Sequence, residues 1–194
     1  MSSPVTRLLP ALLLALLLAL GLAAPAQATT FNTGEVERHG AWHSLTLTLG
    51  EERHFRAMEG QSYSDSLLSV NVTPGVCDLP WLELRVELDE HQAEDRTVNR
   101  VPADLRVDHE TIHSGRAEFV IERGDSGFYV HFFLEEQPLL LEEMRSGETL
   151  RLRLMRAEDD PWFMTFDLDG ADAALDRMLR RCEAASPDAM GLDG

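Results

Sequence analysis

The stretch Pro80-Trp81-Leu82-Glu83-Leu84-Arg85-Val86-Glu87-Leu88 decides the fold class. Leu82, Leu84, Val86 and Leu88 alternate with Glu83, Arg85 and Glu87. A period of two is the signature of a β-strand with one face in a core and the other in water. Working outward, the same alternation recurs along the chain. His43 to Leu49 places Leu45, Leu47 and Leu49 on one face, and Ser66 to Val72 does so with Leu68, Val70 and Val72. Val101 to Asp108 is a shorter candidate. Ala117 to Glu122 and Gly127 to Leu134 read as a hairpin turned by Arg123-Gly124-Asp125-Ser126. Thr149 to Leu154 and Trp162 to Leu168 complete eight predicted strands, parted by the turn Glu158-Asp159-Asp160-Pro161.

Two segments read as helix. Pro138 to Arg145 is short and ends at Gly147. Gly170 to Ala184 carries Ala174, Leu175, Met178, Leu179 and Cys182 on one face. The expected architecture is mainly β: a β-sandwich or open barrel of about eight strands, with one carboxy-terminal helix packed on it.

The amino terminus has the layout of an export signal. Met1 to Arg7 is short and carries one positive charge, Leu8 to Leu22 holds only Leu, Ala, Pro and Gly, and Ala26-Gln27-Ala28 is a small-x-small cleavage pattern. The apolar run falls short of the roughly 20 residues that span a bilayer. The expected organisation is therefore a cleaved signal peptide over 1–28, a single exported domain over 29–185 and a flexible tail over 186–194. No span is expected after signal removal, and the expected location is the periplasm or the secreted space.

All 34 acidic residues follow the signal, and the formal net charge is −17. Such a chain is repelled by nucleic acid and by anionic lipid, which excludes both as general partners. Every basic residue apart from His is Arg, so lysine Schiff-base chemistry is absent. The two cysteines, Cys77 and Cys182, are both exported, and an even number in an oxidising compartment predicts a disulfide.

His109-Glu110-Thr111-Ile112-His113 matches H-E-x-x-H literally. On a helix, His109 and His113 would chelate zinc, with Glu110 as the hydrolytic base. Its surroundings are strand-like, and on a strand residues four apart lie roughly 13 Å from each other, too far for one zinc. His39 and His43 repeat the spacing, and a joint four-histidine site is conceivable. Arg123-Gly124-Asp125 is the tripeptide that integrins read, and also ordinary turn chemistry. The stripes Phe128-Val130-Phe132 and Trp162-Met164-Phe166 suit a core better than a ligand cavity.

Gly40-Ala41-Trp42, the alternating sheet pattern, and the ending Phe166-Asp167-Leu168-Asp169-Gly170 with a helix reaching Cys182 resemble two groups of small exported proteins. These are the invasion-associated locus B type and the type VI secretion-associated VasI type. The segment Phe133 to Leu154 is similar to the part before that ending. The resemblance implies a compact, exported, disulfide-tied β domain without known catalytic residues. The His109 to His113 segment departs from both groups.

The expected function is that of a non-enzymatic periplasmic accessory or binding protein without a cofactor, whose partner is another envelope protein. The alternatives are a zinc-dependent hydrolase using His109, Glu110 and His113, and a carrier of a small apolar ligand with a cavity behind Phe128 and Trp162.

Overall fold

The computed structural model describes residues 31–186. The signal-like segment and the tail beyond Ser186 lie outside the described residues.

Ten strands form one antiparallel sheet: β1 (Asn32–His39), β2 (Trp42–Leu49), β3 (Glu52–Glu59), β4 (Ser66–Val72), β5 (Trp81–Glu87), β6 (Arg96–Val107), β7 (His113–Ile121), β8 (Gly127–Leu134), β9 (Thr149–Ala157) and β10 (Asp160–Asp167). Helix α1 (Gln137–Ser146) links β8 to β9, and α2 (Ala171–Ala185) follows β10. The strand order is β1-β2-β3-β4-β5-β8-β7-β6-β9-β10. The fold is thus mainly β and open, with a carboxy-terminal helix, as the alternation predicts. It is one continuous sheet rather than two stacked ones, and it has ten strands rather than eight.

The two extra strands carry weak sequence signals for physical reasons. β1 (NTGEVERH) is an edge strand whose only large apolar residue, Val36, is 55% exposed. It is bulged between Gly34 and Glu37, a device that blunts a sheet edge. In β3 the inward positions are Phe55, Ala57 and Glu59, and a fully buried glutamate breaks the expected apolar alternation. Glu59 is held there by the backbone N–H groups of Gln61 and Ser62, which donate to its Oε1 at 2.8 and 2.9 Å.

The sheet curls until its far strand returns to its near end. The Ala41 N–H donates to the Asp169 carbonyl at 2.9 Å, and Trp42 Nε1 to the Asp167 carbonyl at 2.8 Å. On the free edge of β10, Thr165 and Asp167 donate their N–H groups to Tyr63 Oη and Ser62 Oγ. Gly170, at φ +85°, makes the closure possible: a Cβ there would overlap the His39 carbonyl.

Both helices fill the inner side of this curl. α2 buries Ala171, Ala174, Leu175, Met178 and Cys182 against Phe55, Leu68, Val70 and their neighbours, and α1 adds Leu140 and Met144. Of these, Leu140, Met144, Leu175 and Met178 contribute roughly 1.5–3 kcal/mol each. Arg145 of α1 clamps α2 by donating to Asp172 at 2.7 Å and Asp176 at 2.5 Å. The stripes Val130-Phe132 and Met164-Phe166 belong to this core, with Phe128 and Trp162 packed partly buried against it.

Cys77 and Cys182 form the expected disulfide, with Cα atoms 5.9 Å apart. It ties the loop after β4 to the last turn of α2. Ser186, expected to begin the flexible tail, is instead the C-cap of α2, and its Oγ accepts the Gly75 N–H at 2.9 Å.

Candidate functional site

The alternation in β2 resolves in an unexpected sense. The face turned to α2 is Trp42, Ser44 and Thr46, whose cross-strand partners Glu59, Ala57 and Phe55 are buried. Arg177 of α2 reaches this face, donating to Ser44 Oγ at 2.9 Å and to the Glu35 carbonyl at 3.0 Å, and pairs with Glu37 at 2.7 Å. Thr46 donates to Glu35, which also pairs with Arg181. The polar residues of β2 are therefore inward, Ser44 satisfied by Arg177 of the covering helix and Thr46 by Glu35, which Arg181 of that helix holds. Leu45, Leu47 and Leu49 point to the outer face of the sheet.

On that outer face lies a depression of about 520 Å³. Leu47, Phe31 and Trp81 make an apolar wall, with the His54 imidazole edge-on to Phe31 at 5.4 Å and to Trp81 at 6.1 Å. His54 is fixed by Thr73 Oγ1 at 2.8 Å and Glu52 Oε1 at 2.7 Å.

The floor is a network of charges carried by the polar face of β3, β4, β5 and β8. Glu83, 6% exposed, receives Arg56 Nη2 at 3.0 Å on Oε1 and lies 3.3 Å from His131 Nε2 through Oε2. Arg56 Nε also donates to Oδ1 of the buried Asn71 at 2.5 Å. Burial pushes the Glu83 carboxyl up, but His131 and Arg56 outweigh it and hold the group below its ordinary range. The contact with Glu83 raises the His131 pKa against the burial that opposes it, and Glu122 and Glu118 add to the rise.

A second cluster closes one end. Arg85 Nη2 donates to Asp125 Oδ1 at 2.7 Å, Tyr129 Oη donates to Asp125 Oδ2 at 2.6 Å, and the guanidinium lies 5.9 Å from the Tyr129 ring centre. Beside it, burial together with the charges of Asp125 and Glu83 pushes the Glu122 carboxyl up. Asp125 is thus engaged inside the domain, so Arg123-Gly124-Asp125 is turn chemistry here.

Of the residues singled out in the sequence, Arg123, Gly124 and Asp125 line this groove, and the histidines of the H-E-x-x-H match do not. His109 and Glu110 are exposed in the turn between β6 and β7, and His113 is the first residue of β7. His113 is buried, with Nε2 2.8 Å from Glu143 Oε2 of α1. The helix that would bring His109 and His113 onto one metal is not formed. The turn has another purpose: Arg106 donates to the His109 and Glu110 carbonyls at 2.7 and 2.8 Å, and Arg151 to the Asp108 carbonyl at 2.9 Å. His39 bonds Ser44 Oγ at 2.8 Å, so the four histidines do not converge. Among the described residues, no group of three His, Cys, Asp or Glu side chains is placed to hold a metal. None of their helices is long and apolar enough to cross a membrane.

Among solved structures, the chain is similar to the crystal structure of invasion associated protein B from Bartonella henselae. The match has a TM-score of 0.48 and 18% identity, covering 76% of this chain and 98% of that one. No family model matches, and no curated protein sequence does.

Proposed function

We propose that this chain is an exported, non-enzymatic binding protein of the bacterial envelope, which takes its ligand in the outer groove. The observation that carries this reading is the inversion of β2. A strand that turns Leu47 away from the helix-covered side, into a depression floored by a buried ion-pair network, is built for contact from outside. The apolar wall supplies binding area. The Arg56–Glu83–His131 and Arg85–Asp125–Tyr129 clusters supply fixed polarity that orients whatever sits there. These groups are engaged with one another rather than arranged as a nucleophile and its base. Export is supported by the Met1–Ala28 leader pattern and by a disulfide suited to an oxidising compartment.

The test is native mass spectrometry of the chain exported through its own leader and purified from the periplasm. It would be compared with an Arg56→Gln, Trp81→Ala variant. A bound mass retained by the wild type and lost by the variant is expected. The reading fails if the wild type carries no bound species and small-molecule extracts of the envelope leave its melting temperature unchanged.

A further inference from the structure

The groove occupies only half of the outer face. The other half, over β6, β7, β9 and β10, is covered by no helix, because α1 and α2 pack on the opposite side. Cross-strand register fixes what stands there. Arg106 is opposite Arg151, Asp104 lies between Arg153 and Ser114, Pro102 is beside Arg116, and Arg100 is beside Glu118. At the margins Phe133 stands opposite Arg116 and Phe163 opposite Arg153. β10 adds Pro161 and Thr165, with Asp167 at its far end.

Across β6, β7 and β9 this face holds five arginines against two carboxylates. Asp104 is paired with Arg153, and Glu118 with Arg100. Like charges directly opposite repel. Arg106 and Arg151 are tolerated together because they point donors at the 108–110 carbonyls, which satisfies hydrogen bonds without cancelling charge. The ion pairs of the described residues include none to Arg106, Arg116 or Arg151. In a chain of net charge −17, five of the arginines therefore stand together on one open face.

The same face carries Phe133, 59% exposed, and Phe163, 65% exposed, with Pro102 and Met155 between them. Arginine, aromatic residues and methionine with few carboxylates is the composition of the core of a protein interface. From β8 to β10 is four strand spacings, about 19 Å, so a single small anion cannot engage both margins while five or six extended residues can. An anionic membrane fits less well, since it would repel the rest of this acidic chain across its footprint.

We infer that the face over β6, β7, β9 and β10 docks an acidic segment of a partner protein. Its carboxylates lie on Arg106, Arg116 and Arg151, and its apolar side chains lie against Phe133 and Phe163. This is independent of what fills the groove.

Poly-L-glutamate is the discriminating probe, because a chain this acidic has no general attraction for a polyanion. Binding of labelled poly-L-glutamate to the mature chain is followed by fluorescence anisotropy at low and high salt. The wild type is expected to bind, more weakly at high salt. Arg116→Gln with Phe163→Ser, both exposed and outside the core, should weaken binding about tenfold. Arg56→Gln with Trp81→Ala should leave it unchanged. Vesicles of phosphatidylglycerol should not bind. The inference is overturned if the wild type ignores poly-L-glutamate, if Arg116→Gln with Phe163→Ser binds it equally well, or if only the vesicles bind.

Discussion

His113 reaches from the first residue of β7 to Glu143 of α1, Nε2 to Oε2 at 2.8 Å, and so joins sheet to helix. Its side chain is 1% exposed and that of Glu143 12%. His113→Ala should strand a nearly buried carboxyl and lower stability by about 1–3 kcal/mol in urea unfolding. His109→Ala, in the exposed turn, should change stability by less than about 0.5 kcal/mol. Zinc analysis of chain purified without chelating resin should give no stoichiometric metal in the wild type or in the double variant. One tightly held zinc, lost with both histidines, would restore the hydrolase reading.

The Glu83–His131 contact makes stability depend on pH in a defined direction. The folded pKa of His131 is raised above its ordinary 6.5, so its contribution is complete below that value and is lost as pH rises through the folded pKa. The folded pKa of Glu83 lies below its ordinary 4.5, so its contribution is complete above that value and is lost as pH falls through the folded pKa. Both are intact between about pH 4.5 and 6.5. Urea midpoints should therefore drop between pH 6 and pH 8.5 in the wild type, and drop less in His131→Gln. Equal drops would show that His131 is not coupled to folding.

The disulfide closes a separation of 105 residues. Cys77→Ser with Cys182→Ser should cost roughly 4–5 kcal/mol by chain entropy. Calorimetry with and without reductant should show the wild type falling to the level of the variant. The loss should fall on α2 first, since Gly75 and Ser186 meet beside the bridge.

Gly170→Ala tests the closure of the sheet. The substitution combines a positive φ with overlap of the His39 carbonyl, and a loss of about 2 kcal/mol or more is expected. Gly50→Ala has a similar φ of +60° but open space around it, and should cost about 1 kcal/mol. If the two lose equally, the contact between the β1–β2 turn and the β10–α2 turn carries no weight.

Alternation alone sets the class of this fold and several of its faces. Period-two runs locate β2, β4, β5, β8, β9 and β10, and except in β2 they give the inward face, as with Leu68, Val70 and Val72 or Met164 and Phe166, save that Leu88 lies beyond β5 and is 44% exposed. The spacing of Ala174, Leu175, Met178 and Cys182 located α2 and its buried side, and cysteine number alone paired Cys77 with Cys182. What alternation cannot supply is which face is inward when both can be satisfied. In β2 the serine and threonine face is inward because Arg177, more than 130 residues away in the chain, donates to Ser44, and Glu35, paired with Arg181, accepts from Thr46. That choice turned Leu47 outward and made the groove. The groove itself was illegible for the same reason: Arg56, Glu83 and His131 lie on three strands, and no local spacing connects them. Only the sheet's register, set by the whole curl around α1 and α2, brings such residues within hydrogen-bonding distance. Conversely, His109 and His113 share a legible spacing, and the backbone between them, a turn gripped by two arginines, denies it the helix that would give the spacing meaning.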